Sequence, residues 1–176
     1  MNIIPTDLPG VLIVEPQVHG DQRGFFLETY HQQRYAAAGL PDRFVQDNHS
    51  RSAPGTLRGL HYQLRYPQGK LVRCVRGAIY DVAVDIRRGS PTFGKWVGVE
   101  LSEENQRQLY IPPGFAHGFC VPAVQSEMEY KCTEYYHPGD EYGVIWNDPA
   151  LGIAWPVTTP LLSARDATLP RLQDSP

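Results

Sequence analysis

Short apolar runs recur along the chain, many of them alternating with polar residues, and this period predicts β-strands in place of helices. They fall at Val11–Glu15, Gly24–Thr29, Thr56–Gln63, Lys70–Val75, Ala78–Ile86, Lys95–Leu101, Arg107–Ile111, His117–Val121, Ser126–Tyr135 and Gly143–Trp146. Turn-forming groups such as Pro54-Gly55, Arg88-Gly89-Ser90-Pro91 and Pro138-Gly139-Asp140 separate most of them. One helix is predicted over His31–Ala38, closed by Gly39 as a left-handed cap with Pro41 just beyond. A second short helical turn is predicted near Ser163–Ala167. Many strands and almost no helix predict an all-β sandwich or barrel with one or two short helices. No internal repeat, linker or low-complexity segment interrupts the pattern, so residues 1–176 read as a single domain.

Strand parity assigns faces. In Ala78–Ile86, Tyr80, Val82, Val84 and Ile86 share one face, which the pattern predicts to look inward, and Asp81 and Asp85 share the other. In Ser126–Tyr135, Met128, Tyr130 and Cys132 share a face opposite to Glu127, Glu129 and Lys131. Tyr130 is therefore predicted to point into the interior.

Composition narrows the class. A chain of 176 residues can close one hydrophobic core without staples. A net charge of -3 and a pI near 6.0 supply no basic excess to neutralise nucleic-acid phosphates. The cysteines, Cys74, Cys120 and Cys132, are odd in number and lack paired zinc spacing, and read as buried reduced thiols. No basic segment followed by an apolar run opens the chain, and no stretch reaches membrane-spanning length. The expectation is a cytoplasmic protein with no membrane or nucleic-acid partner.

Candidate chemistry gathers on two segments, Arg58-Gly59-Leu60-His61-Tyr62-Gln63 and Gly69-Lys70-Leu71-Val72-Arg73. Cations within strands are costly unless an anion is expected there. Arg58 and His61 lie an odd number apart, so an ideal strand turns them to opposite faces. A bulge at Gly59 would reconcile them, or one of the two would serve a partner subunit. The spacing Pro112-x-Gly114-x-x-His117 is similar to the second motif of metal-binding cupin barrels. The first motif, however, requires H-x-H followed by a carboxylate, whereas His61 is followed by Tyr62 and Gln63. Two separated histidines without a supporting carboxylate make a poor ligand set, and no metal is expected. Asp166, in Ser163-Ala164-Arg165-Asp166-Ala167, reads from sequence alone as a surface acid beside a helical turn.

From about Leu8 to Ala167 the chain resembles the dTDP-4-dehydrorhamnose 3,5-epimerase family. The resemblance is carried by Gly20-Asp21-Gln22-Arg23-Gly24-Phe25-Phe26, Phe44-Val45-Gln46-Asp47-Asn48-His49-Ser50, Leu57-Arg58-Gly59-Leu60-His61 and Gln68-Gly69-Lys70-Leu71-Val72-Arg73. It continues through Tyr80–Arg87, Ser90–Gly94, Pro113–Phe119 and Trp146-Asn147-Asp148. It implies a cupin-like jelly-roll barrel, a homodimer with exchanged strands, no metal or other cofactor, and an isomerase acting on dTDP-4-keto-6-deoxyglucose. By the same resemblance His61 is the base, Tyr130 the acid, Lys70 the group at the keto oxygen and Asp166 the partner that orients His61. Arg23, Glu28, Gln46, Asn48, Arg58, His117 and Glu141 match substrate-contacting positions, and Tyr136 matches the aromatic that stacks on thymine. Arg165 stands where a lysine is common and would contact the diphosphate.

The residue types suit that chemistry. Removing a proton beside a ketone leaves charge on the carbonyl oxygen as an enolate. A histidine of pKa about 6.5 can take the proton, a cation can hold the oxyanion, and a phenol of pKa about 10 can return a proton. A single-centre C3 or C5 epimerase is the alternative reading, and a metal-dependent cupin enzyme a more distant one.

Overall fold

The computed structural model describes every residue, Met1–Pro176. Its strands are β1 (Asn2–Pro5), β2 (Leu12–Glu15), β3 (Val18–Asp21), β4 (Gly24–Leu27), β5 (Gln46–Ser52), β6 (Leu57–Gln63), β7 (Lys70–Arg76), β8 (Ala78–Asp85), β9 (Trp96–Ser102), β10 (Gln108–Ile111), β11 (Phe115–Cys120), β12 (Ser126–Cys132) and β13 (Glu141–Gly143). A helix, α1 (Gln32–Ala37), follows β4, and 3₁₀ turns lie at Asp166–Thr168 and Leu172–Asp174. Two antiparallel sheets form the body, ordered β1-β2-β10-β7-β12-β5 and β13-β6-β11-β8-β9. The hairpin β3-β4 pairs only with itself. The architecture is cupin-like, but hydrogen bonding does not close the sheets into a continuous barrel.

Every predicted strand overlaps an observed one, although the last lies earlier than expected, at Glu141–Gly143. Beyond it Val144 still exchanges backbone hydrogen bonds with Leu60, at 2.9 and 3.1 Å. The helix starts where His31 caps it and stops before Gly39, whose φ of 87° is the expected left-handed turn. Strands β1, β3 and β5 escaped the pattern. β5 (Gln-Asp-Asn-His-Ser-Arg-Ser) has no apolar residue, and is a strand because β12 pairs with it from Ser126↔Ser52 to Cys132↔Gln46.

Both faces of the five-stranded sheet are covered. Between the sheets Val72, Cys74, Ile79, Ala83, Leu101, Leu109, Phe119 and Met128 pack together. On the outer face Leu60, Tyr62, Val82 and Val84 pack under Val144, Leu151 and Leu172 of the C-terminal segment. The predicted inward face of β8 is therefore reversed. Val82 and Val84 look outward into this second core, while Ile79, Asp81 and Ala83 look between the sheets. An apolar stripe marks a buried face, and here the return of the C-terminal segment buries the outer one.

The bulge expected at Gly59 is present. His117↔His61 and Phe119↔Arg58 are both paired, so three steps along β6 match two along β11. Gly59 has φ 118°, and a Cβ there would lie 2.8 Å from the carbonyl oxygen of His117. Gly59→Ala is expected to destabilise by about 1–3 kcal/mol from backbone strain alone, with the overlap against β11 adding to it. A urea titration of both proteins checks this, and an unchanged midpoint would contradict it.

Candidate active site

The bulge lets Arg58 and His61 face the same cavity, a space of about 630 Å³ between the sheets at one end of the sandwich. Both sheets supply its walls. From the five-stranded sheet come Arg58 and His61 on β6, His117 on β11 and Glu141 on β13. From the six-stranded sheet come Gln46, Asn48 and Ser50 on β5, Lys70 on β7, and Met128 and Tyr130 on β12. Gln68, Tyr136 and Arg165 reach it from loops, and Asp166 from the first 3₁₀ turn. The parity reading of β12 holds, since Met128 and Tyr130 look inward while Glu127 binds Arg51 and His49 outside. β5 is polar because its inward residues line this cavity and its outward ones meet solvent.

Asp166 is not a surface acid. It is 3% exposed, and its Oδ1 lies 2.6 Å from Nε2 of His61. A parallel bridge between Thr56 and Leu161 lays the C-terminal segment against the start of β6. The Asp166 N–H then donates to Ser163 Oγ at 3.0 Å, which fixes the turn that delivers the carboxylate. Burial pushes the Asp166 pKa up, but hydrogen bonds and charge from His61, with further bonds from Gly59 and Ser163, outweigh it and hold it below the ordinary value. Asp166 thus stays ionised and accepts from Nε2–H, leaving the Nδ1 lone pair free. Nδ1 points to the Glu141 side of the cavity, 4.0 Å from Oε1.

Lys70 and Tyr130 stand on adjacent strands, with the Lys70 Nζ 5.9 Å from the Tyr130 ring centre. Burial lowers the Lys70 pKa, opposed by the charges of Cys132, Glu141 and Asp81. Burial also pushes the Tyr130 pKa up to about 12, with Cys132 and Glu141 adding to the rise and Arg58 opposing it. The phenol is protonated at neutral pH and able to donate. Burial likewise lowers the pKa of His117, against the pull of Asp81, whose Oδ1 lies 2.8 Å from its Nε2.

The remaining predicted contacts divide. Gln46, Asn48, Arg58, His117, Tyr136, Glu141 and Arg165 all line the cavity. Arg58 donates to Ser52 Oγ at 3.1 Å, and Arg165 pairs with the Glu141 carboxylate. Arg23 and Glu28 lie elsewhere. Arg23 sits on the free β3-β4 hairpin bound to Asp21, and Glu28 pairs with Arg34 at 3.3 Å. Sequence reasoning missed Asp81. Parity had turned it to the outward face; its one signal was that it alternates with the apolar Ile79 and Ala83, and the fold sets it beside His117 on the neighbouring strand. No three His, Cys, Asp or Glu side chains come together as a metal would require.

A family model described as dTDP-4-dehydrorhamnose 3,5-epimerase matches residues 5–174. The chain belongs to the dTDP-4-dehydrorhamnose 3,5-epimerase family. A relative of that name from Shigella flexneri is 59% identical over 94% of this chain and 93% of its own length. A crystal structure from Legionella pneumophila, described as dTDP-6-deoxy-D-glucose-3,5-epimerase in complex with dTDP-4-keto-L-rhamnose, superposes with a TM-score of 0.96 at 53% identity. It covers 98% of this chain and 93% of its own. A dTDP-4-dehydrorhamnose 3-epimerase from Streptomyces niveus is 44% identical over 94% of this chain and 81% of its own length.

In this epimerase family member burial disfavours the charged, protonated form of Lys70 and lowers its pKa. The unfolded chain holds that proton more tightly, so folded stability rises with pH between the depressed pKa and the ordinary value near about 10.4. Lys70→Met is expected to raise the unfolding free energy at neutral pH by about 0.5–2 kcal/mol. The gap from the wild type should narrow as the pH approaches 10. Urea midpoints at several pH values measure both, and a less stable variant would contradict the argument.

Proposed function

We propose that this protein epimerises dTDP-4-keto-6-deoxyglucose at C3 and C5 to give dTDP-4-dehydrorhamnose, a step of dTDP-rhamnose biosynthesis. One observation carries the reading: His61 and Tyr130 enter the same cavity from opposite sheets, with Lys70 beside Tyr130. A sugar ring held between the sheets has a base on one side and an acid on the other, as inversion requires.

His61 Nδ1 takes the carbon-bound proton next to the C4 ketone, and the electron pair moves onto the carbonyl oxygen as an enolate. Asp166 stabilises the imidazolium without taking its proton. The Lys70 ammonium stabilises the oxyanion, a kind of interaction whose loss typically costs roughly 10²–10³ in rate. As the carbonyl re-forms, Tyr130 gives its proton to the carbon from the opposite side. Exchange with solvent returns a proton to the phenolate and removes one from the imidazolium, and the sequence repeats at the second carbon.

Arg58 and Arg165 are the proposed diphosphate contacts, Tyr136 the stacking surface for the base, and Gln46, Asn48, His117 and Glu141 the further substrate contacts. Arg23 and Glu28 fit the same role in a homodimer, with the free hairpin reaching a second copy's cavity. Phe25 and Phe26 on that hairpin are 61% and 71% exposed, as an unpartnered docking element would be. Three unpaired, buried cysteines accord with a reducing cytoplasm. Likeness to the Streptomyces niveus 3-epimerase supports a second reading, inversion at C3 only.

Incubation in deuterated water followed by NMR decides between these readings. Label should enter at both C3 and C5, and label at one carbon alone would reject the double inversion. His61→Ala should lower turnover by about 10²–10⁴-fold with little loss of nucleotide affinity. Tyr130→Phe should still exchange a proton while failing to complete epimerisation, and full turnover in that variant would remove Tyr130 as the acid. Sedimentation should give twice the chain mass of 19.8 kDa, and Arg23→Ala should raise KM. A monomer of full activity would refute the shared site.

A further inference from the structure

We infer that Gln63, which does not line the cavity, is a positioning residue for Tyr136 through a clamp of three glutamine side chains on the backbone of residues 134–137. The inference rests on the reading of Tyr136 as the base-stacking residue.

After β12 ends at Cys132, the chain runs to β13 without a strand partner, and its backbone polar groups need other partners. Gln68 Nε2 donates to the Glu134 carbonyl at 2.9 Å. Gln63 Nε2 donates to the Tyr135 carbonyl at 3.1 Å. The Tyr136 N–H donates to Gln46 Oε1 at 2.8 Å, and the His137 N–H to Gln63 Oε1 at 2.9 Å. Four consecutive residues are thus each held by a glutamine amide. The three glutamines come from different places: β5 of one sheet, the end of β6 in the other, and the turn before β7.

Gln63 is the central member. It is 6% exposed, bonds residues on both sides of Tyr136, and also donates to the Tyr66 carbonyl at 2.7 Å. The Tyr66 ring stacks on His137 with centres 3.9 Å apart, so the neighbouring turn is tied to the same unit. An amide is the side chain that meets this demand, because it donates and accepts at once and adds no charge beside a site for a diphosphate. A glutamate could accept from His137 but could not donate to either carbonyl. Tyr136 itself is half exposed, so the direction of its ring depends on where the backbone is held.

The test measures affinity for dTDP by calorimetry, together with kcat and KM for the sugar nucleotide. The proteins are the wild type, Gln63→Leu, Gln63→Glu, Gln68→Met, Tyr136→Ala and the Gln63→Leu/Tyr136→Ala double variant. Tyr136→Ala should weaken dTDP binding on the order of 10-fold, the size expected for one base–aromatic stack. Gln63→Leu and Gln63→Glu should weaken binding and raise KM by a similar factor, with kcat changed less than about 3-fold. In the double variant the Gln63 effect should nearly vanish. If Gln63→Leu does not fold, Gln68→Met, at a half-buried position that itself borders the cavity, should show the same split in smaller measure and lose it when combined with Tyr136→Ala. No split, or one that persists without Tyr136, overturns the inference. Unchanged dTDP affinity in the Gln63 variants, or an equal loss with and without Tyr136, overturns the clamp and leaves the stacking reading standing. Unchanged affinity in Tyr136→Ala removes the stacking reading and the clamp's purpose with it.

Discussion

A β-strand sends successive side chains to opposite faces, and the site depends on the one place where β6 departs from that rule. At Gly59 three residues of β6 pass two of β11, so Arg58 and His61 both line the cavity. The two backbones approach so closely there that Gly59 and Gly118 leave no room for a side chain between them. An imidazole and a guanidinium separated by an odd step thereby share one space. Without the bulge, one of them would enter the outer core under the C-terminal segment.

The second determinant is enclosure by two sheets. A single sheet face could present His61 or Tyr130, but only facing sheets present them from opposite sides. Enclosure also sets the charge states. Burial raises the Tyr130 pKa and keeps the phenol protonated, while the same burial disfavours the charge on Lys70. His61 escapes isolation because Asp166 meets it at 2.6 Å. Burying a lysine in this way costs stability.

Much of this was legible from residue order. Strand period, turn residues and the Gly39 cap located most elements, and parity placed Tyr130 inward because β12 alternates between interior and solvent. Parity misled for β8, whose apolar stripe faces the C-terminal segment, leaving Asp81 beside His117 between the sheets. β5 went unseen because a strand lining a polar cavity on one side and meeting water on the other carries no apolar signal. Local residues made Asp166 a surface acid, because nothing in its neighbours reveals a residue 105 positions away; only the family resemblance joined it to His61. Gln63 illustrates the same limit. In the sequence it is the residue that breaks a metal-binding H-x-H motif, and in the fold it joins β6 to the loop carrying Tyr136.

By itself the sequence determined the all-β class, the position of most strands, the inward direction of Tyr130 and, through resemblance, the chemistry to expect. These follow from local period, turn geometry and motif spacing, each set within a few residues. The resemblance named Asp166 as the partner of His61, and the tertiary structure supplied the contact. Only the tertiary structure decided that Asp81 is internal, that His61 and Tyr130 stand on opposing walls, and that Arg23 and Glu28 lie away from their own chain's cavity. Those facts depend on sheet order and on the return of the C-terminal segment, both set by packing between residues far apart in the chain.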